Sequence, residues 1–351
     1  MKIAIIAITA HGARLGASLV RELTEAELFI PSKHADSIET PATPYTEELR
    51  SLISRLWHEK DGLICIMASG IVVRLIAPLL EGKDRDPAIV VVDDAGRFAV
   101  SLLSGHLGGA NRLAEQCARA SGATAVITTA TDAHGLPSFD LLAMEQGWVI
   151  DELSRVKILN SLLLEGEEIA VVDPTGQVER FVSARGYLRY FPDFQAALRS
   201  KAAGYLFVSN REIPPNCAPQ NLLVLRPRNL VLGIGCNSGT EADEIERVVL
   251  ANLEKLALSL KSVCCLASAV AKKNEAGLLA FAGKYSIPIT FYESSELNAV
   301  TVPSPASTHA MDAIGATGVA EPAALLASQG VCLLLNKVKS GNVTLAIAEK
   351  C

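Results

Sequence analysis

No C-x-x-C spacing occurs among the eight cysteines of this 351-residue chain, which stand at Cys65, Cys117, Cys217, Cys236, Cys264, Cys265, Cys332 and Cys351. That absence argues against a zinc site, and the scatter of the thiols argues against a disulfide framework and for reduced cysteines in a cytoplasmic protein. The Gly and Lys phosphate motifs are missing too. Gly12-x-x-x-Gly16, which follows the first apolar run, is not the G-x-G-x-x-G dinucleotide fingerprint, so a nucleotide-dependent enzyme is disfavoured. Basic charge is not in surplus: 32 Lys and Arg against 38 Asp and Glu leave a net charge of −6. This argues against nonspecific binding to nucleic acid or anionic membrane, and any anionic ligand must be held locally. One stretch imitates a membrane span, residues 62–80, apolar except for Ser69 and Arg74. A charge near its centre would cost about 2.5 to 3.5 kcal/mol in lipid, so the stretch reads as a buried strand followed by a helix. No signal peptide is expected, because the apolar run 3–8 is short and enters a polar loop. Internal repeats, coiled-coil heptads and low-complexity tracts are absent.

What is present is an ample supply of core residues: half of the chain is apolar and a fifth is charged. Its length predicts two or three domains. Residues 2–8, 63–67, 88–92, 97–103 and 125–130 read as strands, and 13–23, 47–59, 71–80 and 110–120 as helices, with 31–46 as loop. Asp93-Asp94-Ala95-Gly96 is a hairpin signal. A smaller module follows, with a helix at 151–164, strands at 169–173 and 205–209, and a proline-containing linker at 213–220. The pattern then restarts with strands at 230–234, 288–291, 331–335 and 343–348. Its helices lie at 276–284, after the capping-box pattern of 240–243, and after Gly318-Val319-Ala320-Glu321-Pro322, with 301–309 as loop. The expectation is a multi-domain α/β protein of layered α/β/α, mostly parallel sheets, divided at 1–135, 136–226 and 227–351.

The chain is organised around residues 101–111, Ser-Leu-Leu-Ser-Gly-His-Leu-Gly-Gly-Ala-Asn. A strand, a loop with three glycines and a helix follow one another there. Such a junction aims unpaired amides and the positive end of a helix dipole at whatever lies above it, beside an imidazole suited to moving protons. It can equally be a tight turn whose glycines only permit positive φ. At the end of the next strand, Thr128, Thr129 and Asp132 stand where a parallel sheet usually keeps its ligands; capping of a helix by Thr131 or Asp132 is the competing use.

These segments resemble the CbiG family of cobalamin-biosynthesis proteins, the cobalt-precorrin-5A hydrolases. The resemblance runs through residues 69–78, Lys83, 86–88, 102–111 and 126–132, with Asp94 standing where Glu is expected. Beyond Pro227 it is carried by 233–236, Lys272, Glu275, Gly277-Leu278, 318–322 and 343–346, in a region similar to the small protein CobE. It implies a hydrolase that opens the δ-lactone of cobalt-precorrin-5A and releases acetaldehyde to give cobalt-precorrin-5B. No protein-bound metal or cofactor is implied, since the cobalt belongs to the substrate. The tetrapyrrole would bind between the N-terminal and C-terminal domains.

For that chemistry His106 is the expected base, with the Gly108 and Gly109 amides as oxyanion donors. Axial ligation of the substrate's cobalt is a rival role for His106, and a nucleophilic Ser104 is a weaker one. Ser69, Gly70, Ser104, Gly105, Asn111, Thr128, Thr129 and Asp132 are expected around the substrate, with Arg74, Lys83 and Arg112 clamping its carboxylates. Glu321 is a further substrate contact or simply a helix cap. A non-catalytic carrier of corrinoid intermediates is the competing function. A homodimer, and hand-over to other enzymes of the corrin pathway, stay open as partners.

Overall fold

The computed structural model describes residues 1–82, 85–181, 187–214, 218–330 and 332–350. Expectations that fall on Lys83, Cys217, Val331 and Cys351, and on the centre of the 213–220 linker, lie outside the described residues. The chain divides into two compact units, one formed by Met1–Leu142 and the other running on from Ala143.

The first unit is built on a seven-stranded sheet of β1 (Ile3–Ala7), β2 (Ala26–Pro31), β3 (Thr43–Tyr45), β4 (Gly62–Ile66), β5 (Ala88–Val92), β6 (Phe98–Leu103) and β7 (Thr124–Val126), in the order β3-β2-β1-β4-β5-β6-β7. Helices α1 (Ala10–Glu22), α2 (Leu49–Glu59), α3 (Ser69–Ile76) and α4 (Ala110–Ser121) flank it. Alternate residues of β1 serve opposite faces, as the period of a strand requires. Ile3, Ile5 and Ala7 pack with Ala13, Ala17 and Leu19 of α1 and Leu113 of α4. Ala4 and Ile6 pack with Leu52, Leu56 and Trp57 of α2 and Val72 of α3. The result is a three-layer sandwich whose central strands are buried on both sides, hence their unbroken apolar runs.

Three boundaries depart from expectation. β2 forms in residues to which the sequence reading assigns no element, the short β3 occupies part of what reads as loop, and Pro44 is tolerated because β3 is an edge strand. α1 begins at Ala10 because the Thr9 hydroxyl accepts the Gly12 amide at 2.8 Å, a side-chain cap that starts the helix earlier than its apolar spacing. β7 stops at Val126, so Thr128 and Thr129 belong to a loop leading into helix α5 (Ala130–His134). The Asp93–Gly96 turn is a hairpin as read: β5 and β6 pair antiparallel, and Gly96 takes φ +67°.

The second unit carries two five-stranded sheets. One has the order β10-β9-β11-β12-β8 and uses β8 (Val149–Ile150), β9 (Ile169–Val172), β10 (Leu188–Tyr190), β11 (Gly204–Val208) and β12 (Leu222–Arg226). The other has the order β15-β14-β13-β17-β16 and uses β13 (Leu230–Cys236), β14 (Val263–Ala269), β15 (Ile289–Tyr292), β16 (Leu333–Ser340) and β17 (Val343–Glu349). β8, β10 and β12 have no counterpart in the sequence reading, because each is short or abuts a proline-rich stretch. Arg226 is 1% exposed and joins Asp151 at 2.8 Å and Glu212 at 3.1 Å, while Lys261 reaches the same Asp151 at 2.6 Å.

In the last sheet, helix Ala320–Ser328 lies so close to β13 that a Cβ on Gly233 would fall 1.9 Å from the Ala320 carbonyl oxygen. Gly233 is thus demanded by packing. Pro322 stands in the first turn of that helix as expected. The capping box at 240–243 does not form: helix Ala242–Lys255 begins after Glu241 with no side-chain cap. Part of the 301–309 loop is taken up by helix Thr308–Ile314.

Candidate active site

The direction of β6 decides where the glycine loop lies. β4 and β5 run parallel, so Ile66 pairs with Val92, whereas the antiparallel β6 returns and brings Leu103 beside Ile89. The loop after Leu103, and the loop after the parallel β7, therefore sit at the amino ends of β1, β4 and β5. Ser69, Gly70 and Arg74 follow β4 at the opposite edge, about 16 Å away across a five-residue strand. Arg74 there donates to the Gly70 carbonyl at 2.7 Å. The same edge holds Asp94, which accepts from the Thr9 hydroxyl and whose backbone oxygen lies 2.6 Å from His11 Nδ1. The expected substrate residues are thus split between two edges, and Ser69, Gly70 and Arg74 are not part of the cluster around His106.

That cluster is tightly connected. His106 is 8% exposed. Its Nε2 lies 2.7 Å from Asp132 Oδ2. Its Nδ1 lies 2.9 Å from Ser138 Oγ and 3.3 Å from Asp140 Oδ2. Ser138 spends its proton on Asp140 Oδ1, so its oxygen accepts from Nδ1–H. Asn111, on the first turn of α4, is oriented by Ser101, whose hydroxyl donates to Asn111 Oδ1 at 2.7 Å. Its Nδ2 then donates to Thr129 Oγ1 at 2.9 Å and to Asp132 Oδ2 at 2.9 Å. Asp132 is consequently no helix cap. Its Oδ2 accepts two hydrogen bonds, while Oδ1 has no partner among the described residues.

The loop's own geometry is strained at one point. Ser104 has φ +57°, in the left-handed region, and its buried hydroxyl has no hydrogen-bond partner among the described residues. With no base in reach, Ser104 is not an activated nucleophile in this arrangement. The Ser104 carbonyl receives the Ala110 amide at 3.1 Å, Gly105 receives that of Asn111 at 3.0 Å, and His106 receives that of Gly109 at 2.9 Å. The Gly109 amide is therefore spent inside the loop and cannot serve an oxyanion. Gly108 is needed for close approach, since a Cβ there would fall 2.4 Å from Ser104 Cβ and 2.9 Å from its carbonyl oxygen. Gly108→Ala is expected to cost about 1 to 3 kcal/mol, read as a lower urea midpoint at unchanged slope.

A cavity of about 310 Å³ opens beside this cluster, lined by Asp86, residues 101–107, Asn111, Thr128, Thr129 and Asp140. A larger hollow of about 570 Å³ shares Asp86 and Leu107 with it and is bordered by Lys60, Arg85 and Gly108. Gly108 thus faces the neighbouring hollow, and Arg112 lines neither, lying instead with Gln116 and Arg119. Glu321 belongs to the second unit. It is 2% exposed and accepts from Ser304 Oγ at 2.8 Å and from the Lys337 amide at 2.9 Å, which makes it a structural anchor and not a helix cap.

The charges follow from these partners. Burial opposes the imidazolium, but the hydrogen bonds and charges of Asp140 and Asp132 outweigh it and raise His106 above its ordinary value of 6.5. Burial raises Asp140, yet His106 and Ser138 bring it below 3.8. A group raised on folding stabilises fully below its unfolded value and loses that contribution as pH rises through its folded value. For Asp140 the contribution is complete above about 3.8 and is lost as pH falls through its lower folded value. This cluster is therefore expected to stabilise most between about pH 4 and 6.5. The urea midpoint should decline on the alkaline side in the wild type and stay flatter in His106→Gln. In the protonated form that this upward shift favours, both ring nitrogens donate and His106 offers no lone pair to a water or to a cobalt ion.

Sequence reading missed Ser138, Asp140, Ser101 and Asp86. Ser138 stands at the start of helix α6 (Phe139–Gln146), so a capping pattern hides its pairing with an imidazole 32 residues away. Asp86 drew notice only within the Asp-Pro-Ala run, and its carboxylate accepts the Glu81 and Gly82 amides at 2.9 and 3.2 Å.

Fold and site together define a layered α/β protein with a carboxylate–imidazole–carboxylate chain at one edge of its first sheet. The family models Cobalamin synthesis G N-terminal, Cobalamin biosynthesis central region and Cobalamin synthesis G C-terminus match residues 51–132, 137–227 and 230–348. A cobalt-precorrin-5A hydrolase of Priestia megaterium is 38% identical, over 98% of this chain and 94% of its own length. One from Salmonella typhimurium is 32% identical, over 82% of each chain. Protein CobE of a Sinorhizobium species is 31% identical over 34% of this chain and 79% of its own. This chain belongs to the CbiG family.

Proposed function

We propose that this chain is a hydrolase of cobalamin biosynthesis that opens the δ-lactone of cobalt-precorrin-5A, with the cavity beside His106 as its reaction centre. The activity is supported by full-length relatives of that name. The observation that carries the site is the Asp140–His106–Asp132 chain: His106 and Asp140 line a cavity bordered by unpaired loop amides, and Asp132 is held to its wall through His106 and Asn111. Asp132 Oδ1 takes a proton from water as its oxygen adds to the lactone carbonyl. The amides of Gly105, His106 and Leu107, which have no acceptor among the described residues, face the developing oxyanion. Collapse breaks the acyl–oxygen bond, and the proton held on Asp132 passes to the departing C20 oxygen. The same carboxylate then receives the C20 hydroxyl proton as the carbon–carbon bond breaks. The bonding pair passes into the conjugated macrocycle, which takes up a proton, and the C20 unit leaves as acetaldehyde. His106 is a positioning residue: its protonated ring fixes Oδ2 of Asp132 and compensates the two acidic groups.

A cavity of about 310 Å³ suits the lactone end alone. The adjoining hollow, bordered by Lys60 and Arg85 but also by Asp61, Glu81 and Asp86, leaves room for the body of the macrocycle. The steps balance without a resident cofactor, cobalt arriving with the substrate. Among the described residues no helix is long and apolar enough to cross a membrane, and the unpaired cysteines support a cytoplasmic setting. The test is an anaerobic assay of purified protein with cobalt-precorrin-5A, following acetaldehyde and the mass of the corrin product. Catalytic acetaldehyde release is expected. Stoichiometric binding without acetaldehyde would establish the carrier reading instead.

A further inference from the structure

The second unit holds a cavity of about 460 Å³ between the end of β13, helix Thr308–Ile314 and strands β16 and β17. Its walls carry Lys272, Lys337, Lys339 and His309, while Ile314 and Val319 supply apolar surface, and none of the described residues lining it is acidic. In a chain with a net charge of −6, this convergence of cations on one hollow is a local reversal of sign. Lys272 is held by Glu275 at 3.0 Å, and among the described residues Lys337 Nζ reaches only the Pro305 carbonyl at 3.2 Å. Lys339 is exposed and makes no ion pair among the described residues. Lys337 and Lys339 thus keep donors for an anion.

An apolar floor under a cationic rim fits a flat apolar body edged with carboxylates and fits poorly a small inorganic anion, which has no use for Ile314 or Val319. We infer that this cavity of the second unit is a further binding site for a polycarboxylate tetrapyrrole. It holds a macrocycle of the substrate's class through carboxylate pairs with Lys337 and Lys339. The identity of the ligand rests on the function proposed above; the site itself rests on its own walls.

Equilibrium dialysis of the full chain against cobyrinic acid, a cobalt corrin with free carboxylates, and against its fully methyl-esterified form tests this. The acid is expected to bind the wild type at low salt and to lose at least tenfold in affinity at one binding component in Lys337→Ala/Lys339→Ala, and severalfold in Lys339→Glu. Raised salt should weaken that component, and the ester should not distinguish the proteins. Identical isotherms for wild type and double variant, or an ester bound as tightly as the acid, overturn the inference. Acetaldehyde release is measured separately. Unchanged isotherms with turnover remove only this site, whereas lysine-dependent binding without turnover removes only the catalytic reading.

Discussion

Replacing Asp132 with asparagine is expected to lower lactone opening by roughly 10²- to 10⁴-fold, the range for loss of a positioned proton-transfer group. Asparagine can keep an oxygen acceptor for His106 Nε2 and Asn111 Nδ2, both now within 2.9 Å of Asp132 Oδ2, so the loop and cavity should persist. The loss should then appear in kcat with KM nearly constant, because the binding surfaces are untouched. Acetaldehyde release under single-turnover conditions is the measurement. A variant within tenfold of wild type would show that another group moves the proton. The alternative assignment, His106 as free base, predicts that Asp132→Asn only perturbs tautomer and orientation. It also predicts an activity that rises as the imidazole loses its proton. The present geometry predicts the reverse: activity falls on the alkaline side, where loss of the ring proton leaves Asp132 and Asp140 uncompensated.

His106→Ala should produce the largest change in stability. The ring is the cation between two carboxylates, with side-chain exposures of 34% for Asp132 and 14% for Asp140. Removing one partner of a buried pair costs about 3 to 5 kcal/mol, and the partial exposure of Asp132 brings the expectation to the lower end, about 3 kcal/mol. His106→Gln should recover part of it, since an amide keeps a donor without the charge. Urea denaturation at pH 6 separates these variants. A His106→Ala midpoint equal to wild type would mean that the ring carries no charge in the folded protein. As pH rises through the raised folded value of His106 and the wild-type ring also loses its proton, the gap between wild type and His106→Ala should narrow.

Much of the architecture could be read directly from the order of residues, for an identifiable reason. Buried parallel strands such as Ile3–Ala7 and Ala88–Val92 need apolar side chains on both faces, and helices such as Leu49–Glu59 need them every three to four positions. Both periods are local. The hairpin at Asp93–Gly96 was legible for the same reason, as was the strand, glycine loop and helix around His106. Short elements without a period were not: β3, β8 and β10 are held by their sheet neighbours and not by their own pattern.

The chemistry of the site belongs to tertiary structure. Local residues mark His106 as a proton-handling group, but its role depends on Asp132 and Asp140, 26 and 34 positions further on. Whether the glycine loop faces Arg74 or turns from it depends on which strand β6 pairs with and in which direction. Sequence alone determined that this chain is a layered α/β protein of the cobalamin-synthesis type with a histidine in an amide-rich turn. Only the folded chain decided that the histidine is a charged spacer between two acids, because pairing direction and long-range hydrogen bonds leave no periodic trace along the chain.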